Sequence, residues 1–125
     1  MHNAPSLKEL VEAVKSFIDE TAAPNLKGHA AFHARVASNV LATVVREIEM
    51  GAEAAADERA RLVALLETDG ETDLDRLNRD LSGRIRAGKM TLQTPNLLNH
   101  LKSTAISQLS IDQPRYSGAK RLKQG

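Results

Sequence analysis

The sequence predicts an all-α protein, built as a compact bundle of about five helices with one long central helix. Apolar residues recur at three- and four-residue spacing, no segment alternates apolar and polar residues as a half-buried strand does, and glycine or proline separates the helical segments. The 125 residues suffice for one hydrophobic core without disulfides or metal. We therefore predict a single helical-bundle domain over residues 6–116, followed by a basic, flexible tail over residues 117–125.

The first predicted helix begins at a capping box, because Ser6 is followed three residues later by Glu9. Proline cannot continue a helix, so Pro24 and Asn25 close this segment. Its apolar residues recur at helical spacing: Leu7, Leu10, Val11, Val14, Phe17 and Ile18.

The central helix is predicted over Gly28–Gly51, with Gly51 as its C-terminal cap. Its apolar residues cover more than half of the circumference, which is typical of a helix in the middle of a bundle. We therefore expect this helix to be the most buried element. In particular, Val36, Val40 and Val44 should be nearly inaccessible to solvent.

Two shorter helices follow the central one. The third is predicted from about Ala52 or Asp57 to Leu66, and the fourth begins at Thr72 and Asp75. The fourth helix carries an apolar seam of Leu74, Leu77, Leu81 and Ile85.

The fifth helix follows a break at Gly88. Thr94 is predicted as its cap and Pro95 as its first residue, since proline is favoured at that position. The helix should end before Pro114. Three leucines of the last two helices should be buried: Leu77, Leu81 and Leu101.

Composition excludes several classes of protein. The chain contains no cysteine and therefore no disulfide, thiolate metal site or cysteine nucleophile. With no secretory signal and no membrane-length apolar run, we expect a soluble cytoplasmic protein. The net charge is +1, and the basic residues near the end should lie in a solvated terminus: Arg115, Lys120, Arg121 and Lys123. We expect no nucleic-acid partner, because a basic helix face and aromatic residues for base stacking are both missing.

Two histidines of the central helix, His29 and His33, lie four residues apart and therefore on one face. In zinc proteases with this spacing a glutamate follows the first histidine, but here Ala30 follows it. A catalytic zinc needs three protein ligands, and the remaining histidines are His2 and His100. We predict no metal, no cofactor and no catalytic residue, hence no enzyme. His33 is interpreted as a core-edge histidine that hydrogen-bonds a carbonyl or carboxylate.

A polar strip of the same helix carries Arg35, Asn39 and Arg46, stacked along the axis. It either holds an anion, with guanidinium groups gripping phosphate or carboxylate, or pairs structurally with acids of neighbouring helices. Asp112 favours the structural interpretation. A carboxylate in the last turn of a helix opposes the helix dipole by about 0.3–1 kcal/mol and needs a nearby cation. We therefore predict that Asp112 meets Arg35 or Arg46.

Three segments together resemble a known family: AFHARVASNVL with VVREIEMG in the second helix, LNRDLSGRIRAG in the fourth, and LKSTAISQLSIDQPRY at the end. They are similar to a bacterial family of short all-helical proteins known as a domain of unknown function, from about Leu7 to Tyr116. The resemblance implies genes beside those of acyl-CoA dehydrogenases and aminoglycoside-phosphotransferase-like kinases. It implies no catalytic residue. Six residues that match the motifs of this family are the candidates for ligand binding: His33, Arg35, Asn39, Arg46, Arg115 and Tyr116.

The sequence thus favours a non-catalytic accessory or interaction protein that binds an enzyme partner in acyl-CoA or related catabolism. The resemblance implies an acyl-CoA dehydrogenase or a kinase-like protein as that partner. An alanine- and leucine-rich chain with 2% aromatic residues also favours a homodimer, because two copies sharing a face bury more apolar surface. The alternative function is a module that binds a phosphate- or carboxylate-bearing metabolite, such as an acyl-CoA, over Arg35 and Arg46.

Overall fold

The computed structural model describes residues 4–68, 70–71, 73–118 and 121, and over these residues the chain is helical without strands. Within them lie four α-helices: α1 (Leu7–Phe17), α2 (Gly28–Leu66), α3 (Leu74–Arg86) and α4 (Leu97–Asp112). A π-helical turn and a 3₁₀ turn connect α1 to α2 over residues 18–25. The predicted all-α class and the long central helix are confirmed, whereas the helices number four rather than about five.

The chain divides into two compact units, Met1–Ala52 and Glu53–Gly125. The first unit contains α1, the connecting turns and the part of α2 up to residue 52. The second contains the rest of α2 together with α3 and α4. The single domain over residues 6–116 stays a prediction. Most of the predicted tail, residues 119–120 and 122–125, lies outside the described residues.

The predicted capping box of α1 is confirmed. The backbone N–H of Glu9 donates to Ser6 Oγ at 3.1 Å, and the backbone N–H of Ser6 donates to the Glu9 carboxylate at 3.2 Å. Two backbone donors that lack helical partners are satisfied in this way, which fixes the start of α1.

Helix α2 continues through Gly51, which corrects two predictions. Gly51 is not a cap, and no separate third helix begins after it. A capping glycine takes a positive φ, as Gly88 does at 73° after α3, whereas Gly51 keeps helical geometry. The residues that follow include alanines at 52, 54, 55 and 56. Alanine is the strongest helix former, so this run outweighs the cost of about 1 kcal/mol for one interior glycine.

Replacing Gly51 by alanine should therefore raise the free energy of unfolding by about 0.5–1 kcal/mol. The new Cβ would lie 2.5 Å from Glu47 Oε1, the end of a flexible side chain that can rotate away. Urea unfolding followed by far-UV circular dichroism at low protein concentration measures the change. Gly88→Ala is the matched control, and it should destabilise the protein because alanine is strained at positive φ. Equal or lower stability of Gly51→Ala would contradict the continuous helix.

The core of the second unit is aliphatic and consists of Leu62, Leu66, Leu77, Leu81, Met90 and Leu97. The predicted burial of Leu77 and Leu81 is confirmed. Helix α3 is capped by Asp73, whose carboxylate accepts hydrogen bonds from the backbone N–H groups of Asp75 and Arg76 at 2.9 and 3.3 Å. The helix that was predicted to start at Thr72 and Asp75 thus begins at Leu74, behind the cap residue Asp73. Thr72 itself lies outside the described residues.

The start of α4 also differs from the prediction. The helix begins at Leu97 behind Asn96, which has a left-handed conformation with φ 70°. Thr94 Oγ1 instead accepts a hydrogen bond from the backbone N–H of Thr91 at 2.9 Å. Thr94 therefore closes the preceding turn and does not cap the helix. At the other end, α4 ends at Asp112, which confirms the predicted end before Pro114.

The largest correction concerns burial. Val36, Val40 and Val44 are 38–55% exposed, and Leu101 is 41% exposed, so the predicted burial of these four residues is wrong. Periodicity shows that an arc of a helix is apolar, but burial requires a second surface to cover it. In the first unit α1 packs against another side of α2, where Ser38 is buried.

Candidate functional site

In the first unit, polar contacts hold α1 antiparallel to α2. Lys8 Nζ lies 3.0 Å from the Glu49 carboxylate, and Ser38 Oγ donates to Asp19 Oδ1 at 2.5 Å. Lys15 Nζ donates to Asp19 Oδ2 at 2.8 Å. Hydrogen bonds from Lys15 and then Ser38 lower the pKa of Asp19, and the hydrogen bond to Glu49 raises the pKa of Lys8. The contacts between α1 and α2 therefore include charged and hydrogen-bonded side chains.

Four of the five large apolar residues of α1 are exposed, whereas Val11 is half-buried. Leu7, Leu10, Val14 and Phe17 are 52–65% exposed and are spaced by three, four and three residues. This spacing places them on one side of the helix, and we call this set the α1 stripe. Contiguous exposed apolar side chains of this kind mark interaction surfaces in soluble proteins.

The exposed valines of α2 form a second apolar surface in the same unit. Beside them, the exposed His33 packs its ring edge-on against Phe32, with 5.6 Å between ring centroids. His33 is thus at the surface. Over the described residues no group of three or more His, Cys, Asp or Glu side chains is placed to hold a metal, and His2 lies outside them.

Arg46 of the predicted polar strip lines a groove of about 420 Å³ between α1 and α2. Its guanidinium donates to Thr43 Oγ1 at 3.1 Å. The charged lining comprises the bases Lys15 and Arg46 and the acids Glu12, Asp19 and Glu49. Acids outnumber bases there, so the groove offers an anion no excess of positive charge.

The remaining candidates lie apart from one another along the chain. Arg35 and Asn39 are exposed on α2 in the first unit. In the second unit Asp112 is exposed and accepts a hydrogen bond from Gln108 Nε2 at 2.6 Å. Arg115 is exposed, and Tyr116 is half-exposed with its ring against Gly118. The predicted pairing of Asp112 with Arg35 or Arg46 stays a prediction.

A cleft of about 470 Å³ in the second unit contains polar groups that face one another across α2 and α4. Arg61 Nε donates to His100 Nδ1 at 3.2 Å, and Arg61 Nη2 donates to Thr104 Oγ1 at 3.2 Å. Asn99 and Ser103 add further polar lining. Volumes of about 300–1,000 Å³ are typical of small-molecule sites.

Two residues of this cleft have left-handed backbones although neither is glycine. Glu67 has φ 53° where α2 ends, and Asn96 has φ 70° where α4 begins. Such conformations cost about 1–3 kcal/mol each and concentrate at functional sites. The cleft therefore combines a cation, hydrogen-bonding groups and backbone strain in one place.

The comparison with family models decides the family. The model described as a domain of unknown function, DUF6285, matches residues 24–116, which is most of the chain. The chain belongs to the DUF6285 family. No curated protein and no solved structure matches it.

The DUF6285 match spans α2, α3, α4 and every lining residue of the cleft, whereas α1 precedes it. The α1 stripe thus lies outside the matched part of the chain, and the cleft lies inside it. None of the helices in the described ranges combines the length and the apolar character needed to cross a membrane.

No pattern in the sequence indicates that Arg61 and His100 meet. They are 39 residues apart and belong to different helices, so no local spacing relates them. By residue type and spacing, His100 is a candidate only for a third metal ligand. The one usable signal was its position among the apolar residues of α4, which is consistent with its burial.

Stability of this DUF6285 domain should fall as the pH drops below about 6.5, the ordinary pKa of histidine. Burial, and secondly the Arg61 charge, lower the pKa of His100. Residue 100 therefore binds a proton at a higher pH in the unfolded chain than in the folded protein. The loss of stability continues until the pH reaches the lowered pKa. Protonation at Nδ1 would also remove the acceptor for Arg61.

Urea unfolding at about pH 7.5 and about pH 5.5 tests this expectation. His100→Asn is the control, because asparagine offers an acceptor and does not titrate. The parent should lose more stability between the two pH values than the variant. An equal loss in both proteins would show that other groups cause the pH dependence.

Proposed function

We propose that this protein is a non-catalytic accessory protein that binds an enzyme partner through the α1 stripe. The supporting observation is the exposure of Leu7, Leu10, Val14 and Phe17 by 52–65% on one side of a capped helix. Leaving four large apolar side chains in water is unfavourable by roughly 1.5–3 kcal/mol for each one that a partner would fully bury.

The geometry of the stripe fits the mode in which an amphipathic helix enters an apolar groove. Such helices present anchors at spacings of three and four residues, as Leu7, Leu10 and Val14 do. The proposed partner carries an apolar groove about three turns of helix long. Its class follows the sequence resemblance: an acyl-CoA dehydrogenase or a kinase-like protein, in acyl-CoA or related catabolism.

A binding titration with purified enzymes of these two classes from the source organism tests the proposal. Val14→Lys places a charge in the centre of the stripe and should weaken binding at least tenfold. Ser16→Lys is the matched control, because Ser16 is exposed on the same helix outside the stripe. Failure of both enzymes to bind the parent, or equal binding by the two variants, would refute the proposal.

The cleft supports a second candidate function, binding of a carboxylate- or phosphate-bearing metabolite such as an acyl-CoA. Both side chains that accept hydrogen bonds from Arg61, His100 and Thr104, are neutral in these contacts. The positive charge of the guanidinium is thereby available to an anion in the cleft. This position replaces the Arg35 and Arg46 strip as the proposed anion site, because one acid, Glu67, lines the cleft, whereas three acids line the groove at Arg46.

Calorimetric titration with acetyl-CoA, coenzyme A and acetate distinguishes which group the cleft accepts. Asn99→Asp adds a negative charge to the lining without altering Arg61 and should abolish binding. Gln93→Glu adds the same charge to the neighbouring turn outside the lining and should not. Absence of heat with all three compounds would reject this candidate.

A further inference from the structure

Seven residues of α2 follow a palindromic spacing. They are His29, His33, Val36, Val40, Val44, Glu47 and Gly51, and the intervals between them are four, three, four, four, three and four residues. Such intervals keep the residues on one side of a helix. We call this set the α2 stripe. Its centre is Val40, which is 55% exposed.

We propose that two copies of this chain pack antiparallel through their α2 stripes, around a two-fold axis at Val40. In this arrangement Val40 meets Val40 of the second copy, and Val36 meets Val44 of the second copy. A two-fold interface uses the same surface on both copies, so the surface must be complementary to itself. The palindromic spacing meets this requirement, because each position of the α2 stripe faces the position of the second copy that is equally far from Val40 on the other side.

The charges at the ends of the stripe favour the antiparallel arrangement. An antiparallel pair places His33 opposite Glu47 of the second copy, and it does so twice because of the symmetry. The imidazole can donate to the carboxylate in each pair. A parallel pair would instead place His33 beside His33 and Glu47 beside Glu47. Like groups would then face each other, which is unfavourable for two carboxylates.

Gly51 supplies room at each end. The Glu47 side chain lies along the helix over Gly51, with Oε1 2.5 Å from the position that a Cβ at residue 51 would occupy. In the antiparallel pair, Gly51 lies opposite His29 of the second copy and Glu47 lies opposite His33. The carboxylate is thus held between the two facing imidazoles. The edge-on contact of Phe32 with His33 restricts the ring that receives it.

The size of the stripe sets the expected affinity. A stripe of 23 residues is about 33 Å long and roughly 10 Å wide. This is less than the roughly 800 Å² per partner of a standard interface. We therefore expect a dimer with a dissociation constant in the micromolar range. The α1 stripe is not used, so this dimer and the proposed enzyme binding can each fail without the other.

Cysteine cross-linking tests the geometry, because the natural chain contains no cysteine. Val36→Cys and Val44→Cys are prepared as separate proteins and oxidised alone and as a mixture. The antiparallel dimer brings position 36 of one copy to position 44 of the other. The mixture should therefore form a disulfide-linked dimer in high yield, and each variant alone should form little.

Sedimentation equilibrium over a concentration series tests the charge pairing. His33→Glu should raise the dissociation constant at least tenfold, and the double variant His33→Glu/Glu47→His should return it to within threefold of the parent. Arg35→Glu is the control, since Arg35 is exposed on the same helix outside the stripe. Circular dichroism confirms that each variant keeps the helical content of the parent.

Three outcomes would overturn the proposal. The parent could remain monomeric at all concentrations, the single cysteine variants could cross-link as well as the mixture, or the double variant could fail to restore association. If the parent protein stays monomeric and the enzyme partner covers its α2 stripe, that partner is the occupant of the stripe and the dimer proposal is wrong.

Discussion

Replacing Leu77 by alanine should lower the free energy of unfolding by about 2–5 kcal/mol. The Leu77 side chain is 1% exposed and packs in the aliphatic core of the second unit with Leu62 and Leu81. Truncation removes its transfer free energy and leaves a cavity, which the stiff surrounding helices fill only in part. Urea unfolding followed by far-UV circular dichroism gives the change directly.

Leu92→Ala is the matched control for this measurement. Leu92 belongs to the same unit but is 71% exposed in the turn before α4, so its truncation should change stability by less than about 0.5 kcal/mol. Both variants should be compared at one protein concentration, because association makes apparent stability concentration-dependent. Similar losses for the two leucines would contradict the position of the core.

Arg61→Ala should have the next largest effect, a loss of about 1–3 kcal/mol. Arg61 donates to His100 Nδ1 and to Thr104 Oγ1, and His100 is 4% exposed. Without the guanidinium, a buried nitrogen acceptor loses its partner and retains its desolvation cost. Thermal and urea unfolding of the variant measure this loss.

Two further variants separate the hydrogen bonds from the charge. Arg61→Lys keeps the positive charge but cannot reproduce the two-donor geometry, so we expect an intermediate loss. Arg79→Ala removes an exposed arginine from α3 and should change stability by less than about 0.5 kcal/mol. If Arg61→Ala is no less stable than Arg79→Ala, Arg61 does not support His100 in the way described.

Features set by neighbouring residues in the sequence could be predicted. The Ser6 and Glu9 capping box lies within one turn of helix, and the seam of Leu77 and Leu81 lies within a short amphipathic helix. Both depend on spacing that the sequence displays directly. The predicted helix break at Gly51 failed because glycine occurs at caps and in interiors alike, and the flanking alanines decide between them.

Features that depend on which surfaces meet could not be predicted. The valines of α2 have the pattern of a buried face, yet Val36, Val40 and Val44 are exposed because α1 packs against the side that contains Ser38. Likewise, Arg61 meets His100 across 39 residues of sequence. Spacing along one helix does not show which of its faces a second helix covers or how the two helices are aligned. The exposure of the valines follows from the covered face, and the contact of Arg61 with His100 follows from the alignment.

Tyr116 has a practical consequence for spectroscopy. It is the one tyrosine of a chain without tryptophan, and it lies half-exposed against Gly118 and is not one of the residues of the aliphatic core. Near-ultraviolet absorbance and intrinsic fluorescence will therefore report chiefly on the surroundings of residue 116. A loss of that signal can precede any change among the core leucines. A tryptophan introduced at Leu98, which is 45% exposed on α4, would supply an optical probe close to the cleft.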